Sequence, residues 1–167
     1  MANLLPRFLC DAMLARFGRY LRAAGFDTAL ADNHASDAEI LRQAAAEDRW
    51  LLTADYRIME HKAAAGRAVL LPFGSLDAQA QVLKSRFELD WLKHAFTRCL
   101  EDNAALVAAT PEQILMIPAD ARRPNEPRLA CPACGRVYWQ GSHYKRMRSR
   151  LVSWQATGIP PPGGRTS

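Results

Sequence analysis

The chain has 167 residues, enough for one domain of ordinary size or for one domain with a small appendage. With 49% hydrophobic and 23% charged residues it is not a disordered chain, and no apolar run approaches the roughly 18–20 residues of a membrane helix. The formal charge of +5 is uneven: residues 1–95 balance twelve Lys/Arg against twelve Asp/Glu, whereas residues 96–154 carry nine against five, so a basic surface belongs to the C-terminal third. The N-terminus is apolar but lacks a basic leader and meets Asp11 early, so the expected location is cytoplasmic. Cys131 and Cys134 form a CxxC knuckle, which in a reducing compartment more often holds metal than a disulfide.

In chain order, residues 7–11 (RFLCD) read as a short buried strand ending on a carboxylate, with Cys10 a small interior hydrophobe. Met13, Leu14, Phe17, Tyr20, Leu21 and Ala24 then recur at helical spacing, Arg16, Arg19 and Arg22 take other faces, and Gly25 stops the helix. Residues 26–30 suit a second strand. Ser36 opens a second helix with Glu39 in the capping-box position and Ile40, Leu41, Ala44 and Ala45 as its apolar stripe. Residues 50–55 (WLLTAD) repeat the first pattern, a continuous apolar run that ends on Thr53 and Asp55. A short helix over residues 56–65, a strand over 68–71 ended by Pro72, and a Ser75-capped helix over 76–87 complete a βαβαβαβα order. That order calls for a parallel sheet flanked by helices.

Parallel strands lie about 4.8 Å apart, so strand-end Asp11 and Asp55 can meet at one edge. Asp37 begins a helix at the same edge, and Asp77 begins the fourth helix. Single acids at helix starts often only complement the dipole, whereas a carboxylate ending a buried strand calls for a cation. A cluster of such acids suits Mg²⁺ or Mn²⁺, and the matching chemistry is hydrolysis of a nucleic-acid phosphodiester.

FLCDAML with RYLRAAGFDT, then SDAEILRQAAAEDRWLLTADYR, and finally TRCLEDN with CPACGRVYWQGSHYKRM, together resemble the PIN-like ribonuclease domain with a zinc ribbon found at the C-terminus of the Mut-seven exonuclease, the Mut7-C family. The resemblance covers residues 7–154. It implies a PIN-like α/β domain over residues 1–95, a zinc-ribbon module over 96–154, and metal-dependent RNA cleavage at Asp11, Asp37 and Asp55. Thr53 is implied as an orienting hydroxyl, with Glu39 a weaker member of the site and Asp77 weaker still. The first ribbon knuckle departs from the family's second cysteine, placing Asp102 after Cys99. Aspartate ligates zinc at about 2.0–2.2 Å, so Cys99, Asp102, Cys131 and Cys134 still make a tetrahedral set. His143 is a substitute ligand, and the other alternative is a ribbon without metal standing on Leu106, Val107, Leu129, Val137, Tyr138 and Trp139.

Arg136, Lys145, Arg146, Arg148 and Arg150 follow one another with no acid between, either as a solvated face or as a phosphate patch. With His143, Tyr138, Trp139 and Tyr144 they make up an RNA-binding set, the aromatics stacking on unpaired bases; the same aromatics also suit the ribbon's own core. His34, His61 and His94 have no partners at ligand spacing, and residues 155–167 read as a flexible tail. Two classes of function remain: a metal-dependent ribonuclease, of which a toxin-type enzyme is a variant, and a non-catalytic RNA-binding or ribosome-associated module.

Overall fold

The computed structural model describes residues 4–158. Strands β1 (Phe8–Cys10), β2 (Thr28–Leu30), β3 (Trp50–Thr53) and β4 (Ala68–Leu70) form a fully parallel sheet in the order β2-β1-β3-β4. Helices α1 (Ala15–Ala23), α2 (Asp37–Ala46), α3 (Tyr56–Met59) and α4 (Leu76–Phe87) join or follow these strands. The alternation of side chains along the strands sorts the core into two faces. Phe8, Cys10 and Leu52 face a cluster with Leu14, Phe17 and Leu21 at α1 and Ala80 and Leu83 of α4, while Leu9 and Leu51 face Ile40, Leu41 and Ala44 of α2 and Ile58 of α3. The apolar runs at β1 and β3 are continuous because both faces are covered.

Beyond this sheet, β5 (Val107–Ala108), β6 (Leu129–Ala130) and β7 (Val137–Tyr138) make a small antiparallel sheet, with α5 (Pro111–Ile114) between its first two strands. The chain ends in α6 (Ser142–Ala156). Met147, Leu151 and Trp154 of α6, at helical spacing, enter the same core as α1 and α4. Trp154 lies 4.9 Å from Trp91 and 6.1 Å from Phe17 by ring centroid, and its indole N–H donates to Asp77 at 2.7 Å. Gln155 accepts from the Trp91 amide at 2.7 Å, so α6 continues through two residues whose composition pointed to a flexible end. Of that expected tail, residues 159–167 lie outside the described residues. Among the described residues no helix is long and apolar enough to cross a membrane.

Two local expectations are corrected. Met13 is 51% exposed because the chain leaves β1 through a 3-10 turn, Ala12–Leu14, before α1 begins. The helix expected over 56–65 is divided: α3 stops at Met59, His61 is extended, and a 3-10 turn follows at Lys62–Ala64. Arg22, off the apolar stripe, is nevertheless buried and donates to the carbonyls of Thr28, Leu100 and Glu101 at 2.8–2.9 Å, tying α1 and β2 to the first knuckle. Three carbonyl acceptors replace the water that the guanidinium loses.

Gly25 ends α1 at φ +92°, and a Cβ there would stand 2.1 Å from the His94 carbonyl oxygen. The Gly25→Ala variant is expected to lose roughly 3 kcal/mol of stability, measured by urea unfolding, because backbone strain and a backbone collision coincide. A second test concerns Asp27, which accepts from Arg7 (3.0 Å), Arg49 (2.7 Å) and Asn103 (2.7 Å). Burial alone would raise this carboxyl, but the hydrogen bonds from Arg49, Asn103 and Arg7 outweigh it and bring the pKa to about 2. The folded value lies below the roughly 3.9 of an unfolded aspartate, so the network's contribution is complete above about pH 4 and fades as pH falls through about 2. Unfolding free energy measured between pH 5 and 2 should fall less steeply in Asp27→Asn than in the wild type.

Candidate active site and metal centre

The strand order places the switch point between β1 and β3, whose chains leave toward opposite sides of the sheet, and the carboxyl ends of such strands open a crevice. Cys10 is level with Leu52, so the next residues, Asp11 and Thr53, stand side by side. The Thr53 hydroxyl donates to Asp11 Oδ2 at 2.9 Å and accepts from the Asp55 backbone N–H at 3.0 Å. One buried hydroxyl thus fixes both strand ends, its single proton spent on Asp11 and a lone pair on Asp55. The Asp55 carboxylate caps α3 by accepting from the Arg57 N–H at 2.9 Å, and the Arg57 guanidinium stands 3.7 Å away.

Asp37 opens α2, and its Oδ2 lies 3.6 Å from His61 Nε2, with both side chains 43% exposed. Nothing in the sequence spacing joins these two. The extended His61 that divides the helix after β3 supplies the approach. Glu39 is committed to the cap: its Oε2 accepts from both the Ser36 N–H and the Ser36 hydroxyl at 2.7 Å, and these bonds lower its pKa. Asp77 is committed to Trp154. Asp11, Asp37 and Asp55 therefore border the same edge without forming a group whose oxygens lie within 4.8 Å of one another.

Such a group does exist in the C-terminal part: one ligand atom from each of Cys99, Asp102, Cys131 and Cys134 lies within 4.8 Å of all the others. Two equivalent turns build it. After Cys99 the chain closes with Asn103 N–H donating to the Cys99 carbonyl at 3.1 Å, Asn103 at φ +70°; after Cys131 it closes with Gly135 N–H donating to the Cys131 carbonyl at 2.9 Å, Gly135 at φ +74°. Asp102 thus occupies in the first turn the place of Cys134 in the second. Tetrahedral zinc with Zn–S of about 2.3 Å requires sulfurs about 3.8 Å apart and sulfur and oxygen about 3.5 Å apart. The Cys99 and Cys134 sulfurs are 3.8 Å apart, and Cys131 Sγ lies 3.2 and 3.3 Å from the Asp102 oxygens, so the donor set fits the ion.

The electrostatics differ among the four donors. The Ala104 N–H and the Cys131 thiol hold the Asp102 carboxyl at about 2, whereas burial pushes the Cys131 thiol up to about 11. Burial also acts upward on Cys99, but the Tyr138 hydroxyl at 3.1 Å and backbone N–H groups bring it below the ordinary thiol value. The Cys10 thiol, raised to about 12 by burial, belongs to the core. His143 is outside the four-donor group.

Of the residues expected to meet RNA, Arg136, Tyr138, Trp139 and His143 line one cleft with Tyr144, while Lys145, Arg146 and Arg148 are exposed along α6 outside that lining. Tyr138 is half-buried with its hydroxyl accepting from the Leu100 N–H at 3.0 Å, so its ring also braces the first knuckle. Phe96 is a cleft residue that the sequence did not single out. It follows the main sheet by a long loop and packs on Tyr144 at 4.2 Å between ring centroids.

The fold is thus a parallel α/β sheet with acids at its switch point, followed by a small antiparallel ribbon that carries a Cys₃Asp group able to hold a metal ion. The chain belongs to the Mut7-C RNAse domain family, which it matches over residues 6–151. No curated protein and no solved structure matches it. Membership assigns the chain to a ribonuclease domain family, whose substrate class is RNA.

Proposed function

We propose that the chain is a metal-dependent ribonuclease that hydrolyses RNA phosphodiester bonds at the carboxyl edge of its parallel sheet. The observation that carries this reading is the Thr53 hydroxyl held between Asp11 and the Asp55 backbone at the switch point, in a chain of this family. Asp11, Asp37 and Asp55 would hold Mg²⁺ or Mn²⁺, partly through water, since Mg²⁺ keeps several of its waters and needs only one or two direct carboxylates. When bound, the ion supplies an activated water and neutralises charge on the phosphodiester. Asp11 Oδ1 makes no hydrogen bond among the described residues and is the oxygen left for this task. Thr53 keeps the other oxygen occupied and so orients the carboxylate. His61 steadies Asp37, and Glu39 acts through the helix cap that carries Asp37.

Zn²⁺ is the ion proposed for Cys99, Asp102, Cys131 and Cys134, where it would close the two turns. The basic and aromatic residues beyond it, Arg136 to Arg148, serve RNA. The test is the chemistry of the cut ends. Attack by water leaves the 2′-hydroxyl out of the reaction, so Mn²⁺-dependent cleavage of single-stranded RNA should yield no 2′,3′-cyclic phosphate by mass spectrometry. Cyclic phosphate ends formed without added Mn²⁺ or Mg²⁺ would overturn the reading.

A further inference from the structure

The cleft between the ribbon and the start of α6 has a volume of about 670 Å³, within the range of small-molecule sites. Its walls are mostly apolar and include four aromatic rings, Phe96, Tyr138, Trp139 and Tyr144. Three of them are engaged: Phe96 and Tyr144 pack on each other, and Tyr138 is tied to Cys99 and Leu100. Trp139 is half-buried, and its indole N–H has no partner among the described residues. Gly141 makes room for this indole, since a Cβ at that position would stand 2.9 Å from Trp139 Nε1.

The charged groups in the lining are sorted in the same way. Arg19 is paired with Glu101 at 2.8 Å, and Arg98 donates to the carbonyls of Gly25 and Asn103. The side chains of Arg136 and His143, both exposed, make no hydrogen bond or ion pair among the described residues, and neither does that of the exposed Asp120 at the cleft's other wall-forming segment. A half-buried indole with an unpartnered N–H and no aromatic or cationic partner among the described residues, beside two uncommitted cationic or hydrogen-bonding groups, matches a base and its phosphate better than an apolar peptide, which would leave those groups unmet. The cleft also lies away from the acidic edge. Asp11 precedes α1, whereas Phe96 joins the other end of that helix, its N–H donating to the Ala23 carbonyl at 2.6 Å.

We propose that this cleft docks one unpaired nucleobase of a single-stranded RNA, stacked on Trp139 with its phosphate on Arg136 and His143, at a distance from the sheet edge that only a strand several nucleotides long can span. The proposal rests on RNA being the substrate, and it selects single strands over duplexes.

Binding, not cleavage, tests it. Fluorescence anisotropy of a labelled ten-nucleotide RNA is measured with the full chain, zinc-loaded and without added Mg²⁺ or Mn²⁺, beside the same RNA as a blunt duplex. The single strand should bind about tenfold more tightly than the duplex. Trp139→Ala should weaken single-strand binding by about tenfold, Trp139→Phe should restore most of it, and Arg136→Gln should lower the slope of log affinity against log salt by about one. An excess of adenosine monophosphate should compete, marking the base with its phosphate as the recognised unit. Should Trp139→Ala fail to fold, photocrosslinking of a 4-thiouridine RNA to the wild type decides: adducts on the peptides of Trp139 or Tyr144 support the site, and adducts confined to other peptides overturn it. Equal binding of strand and duplex, or wild-type affinity in a folded Trp139→Ala protein, also overturns it. Mn²⁺-dependent cleavage by the same preparation shows separately whether the ribonuclease reading stands.

Discussion

Asp11→Asn will bring Mn²⁺-dependent RNA cleavage to background while leaving the protein folded. The exchange is nearly isosteric and keeps an acceptor for the Thr53 hydroxyl, but it removes the charge that a hard divalent cation requires. Partners that only orient a ligand typically cost 10–100-fold when removed, so a direct ligand should cost at least about a hundredfold in kcat. Thr53→Val supplies the graded comparison. It preserves shape, deprives Asp11 of its donor and the Asp55 N–H of its acceptor, and should lower kcat by about 10–100-fold. Thermal melting and initial rates under saturating Mn²⁺ check both. An Asp11→Asn enzyme with wild-type rate would place the chemistry elsewhere.

The second large effect belongs to the Cys₃Asp group. Purified protein should carry close to one zinc per chain, and stripping it should lower the melting temperature by about 10 °C or more. Structural zinc contributes many kcal/mol in small modules, and each kcal/mol is worth about 2–4 °C in a chain of this size. The effect should reach the main sheet, because the first knuckle is bound to it: Arg22 donates to the Leu100 and Glu101 carbonyls, and Asn103 accepts from the Thr28 N–H while donating to Asp27. Cys131→Ser, at one of the two buried donors, should reproduce the loss. Asp102→Cys should instead raise zinc affinity by at least about tenfold in competition with a chromogenic chelator, since thiolate is the softer donor and the turn at Asp102 already matches that at Cys134. A folded, zinc-free wild type whose melting is untouched by chelation would contradict this.

Much of the main sheet was legible because local and global signals agree there. The runs at β1 and β3 are apolar on both faces, Ser36 and Glu39 form the capping box their spacing calls for, and Ser75 caps α4 through the Ala78 N–H. The switch-point placement of Asp11 and Asp55 followed from those strands. What escaped was tertiary. Arg22 shares its spacing with Arg16 and Arg19, and only the arrival of residues 100 and 101 from far along the chain buries it. The approach of His61 to Asp37 joins two loops at one edge, with no periodicity to announce it. Met147, Leu151 and Trp154 did carry a readable signal, an i, i+4, i+7 stripe, which the surrounding arginines obscured.

The central claim is that the sheet-edge carboxylates hold the catalytic cation. Its most direct test is a Mn²⁺ titration of the zinc-loaded chain with a phosphorothioate RNA present, reading free Mn²⁺ by electron paramagnetic resonance. Divalent ions are to be withheld by dialysis, not by chelation that would also strip the ribbon. The account predicts Mn²⁺ bound by the wild type and lost in both Asp11→Asn and Asp55→Asn, with zinc content unchanged. Equal Mn²⁺ binding in the wild type and the two variants would contradict it.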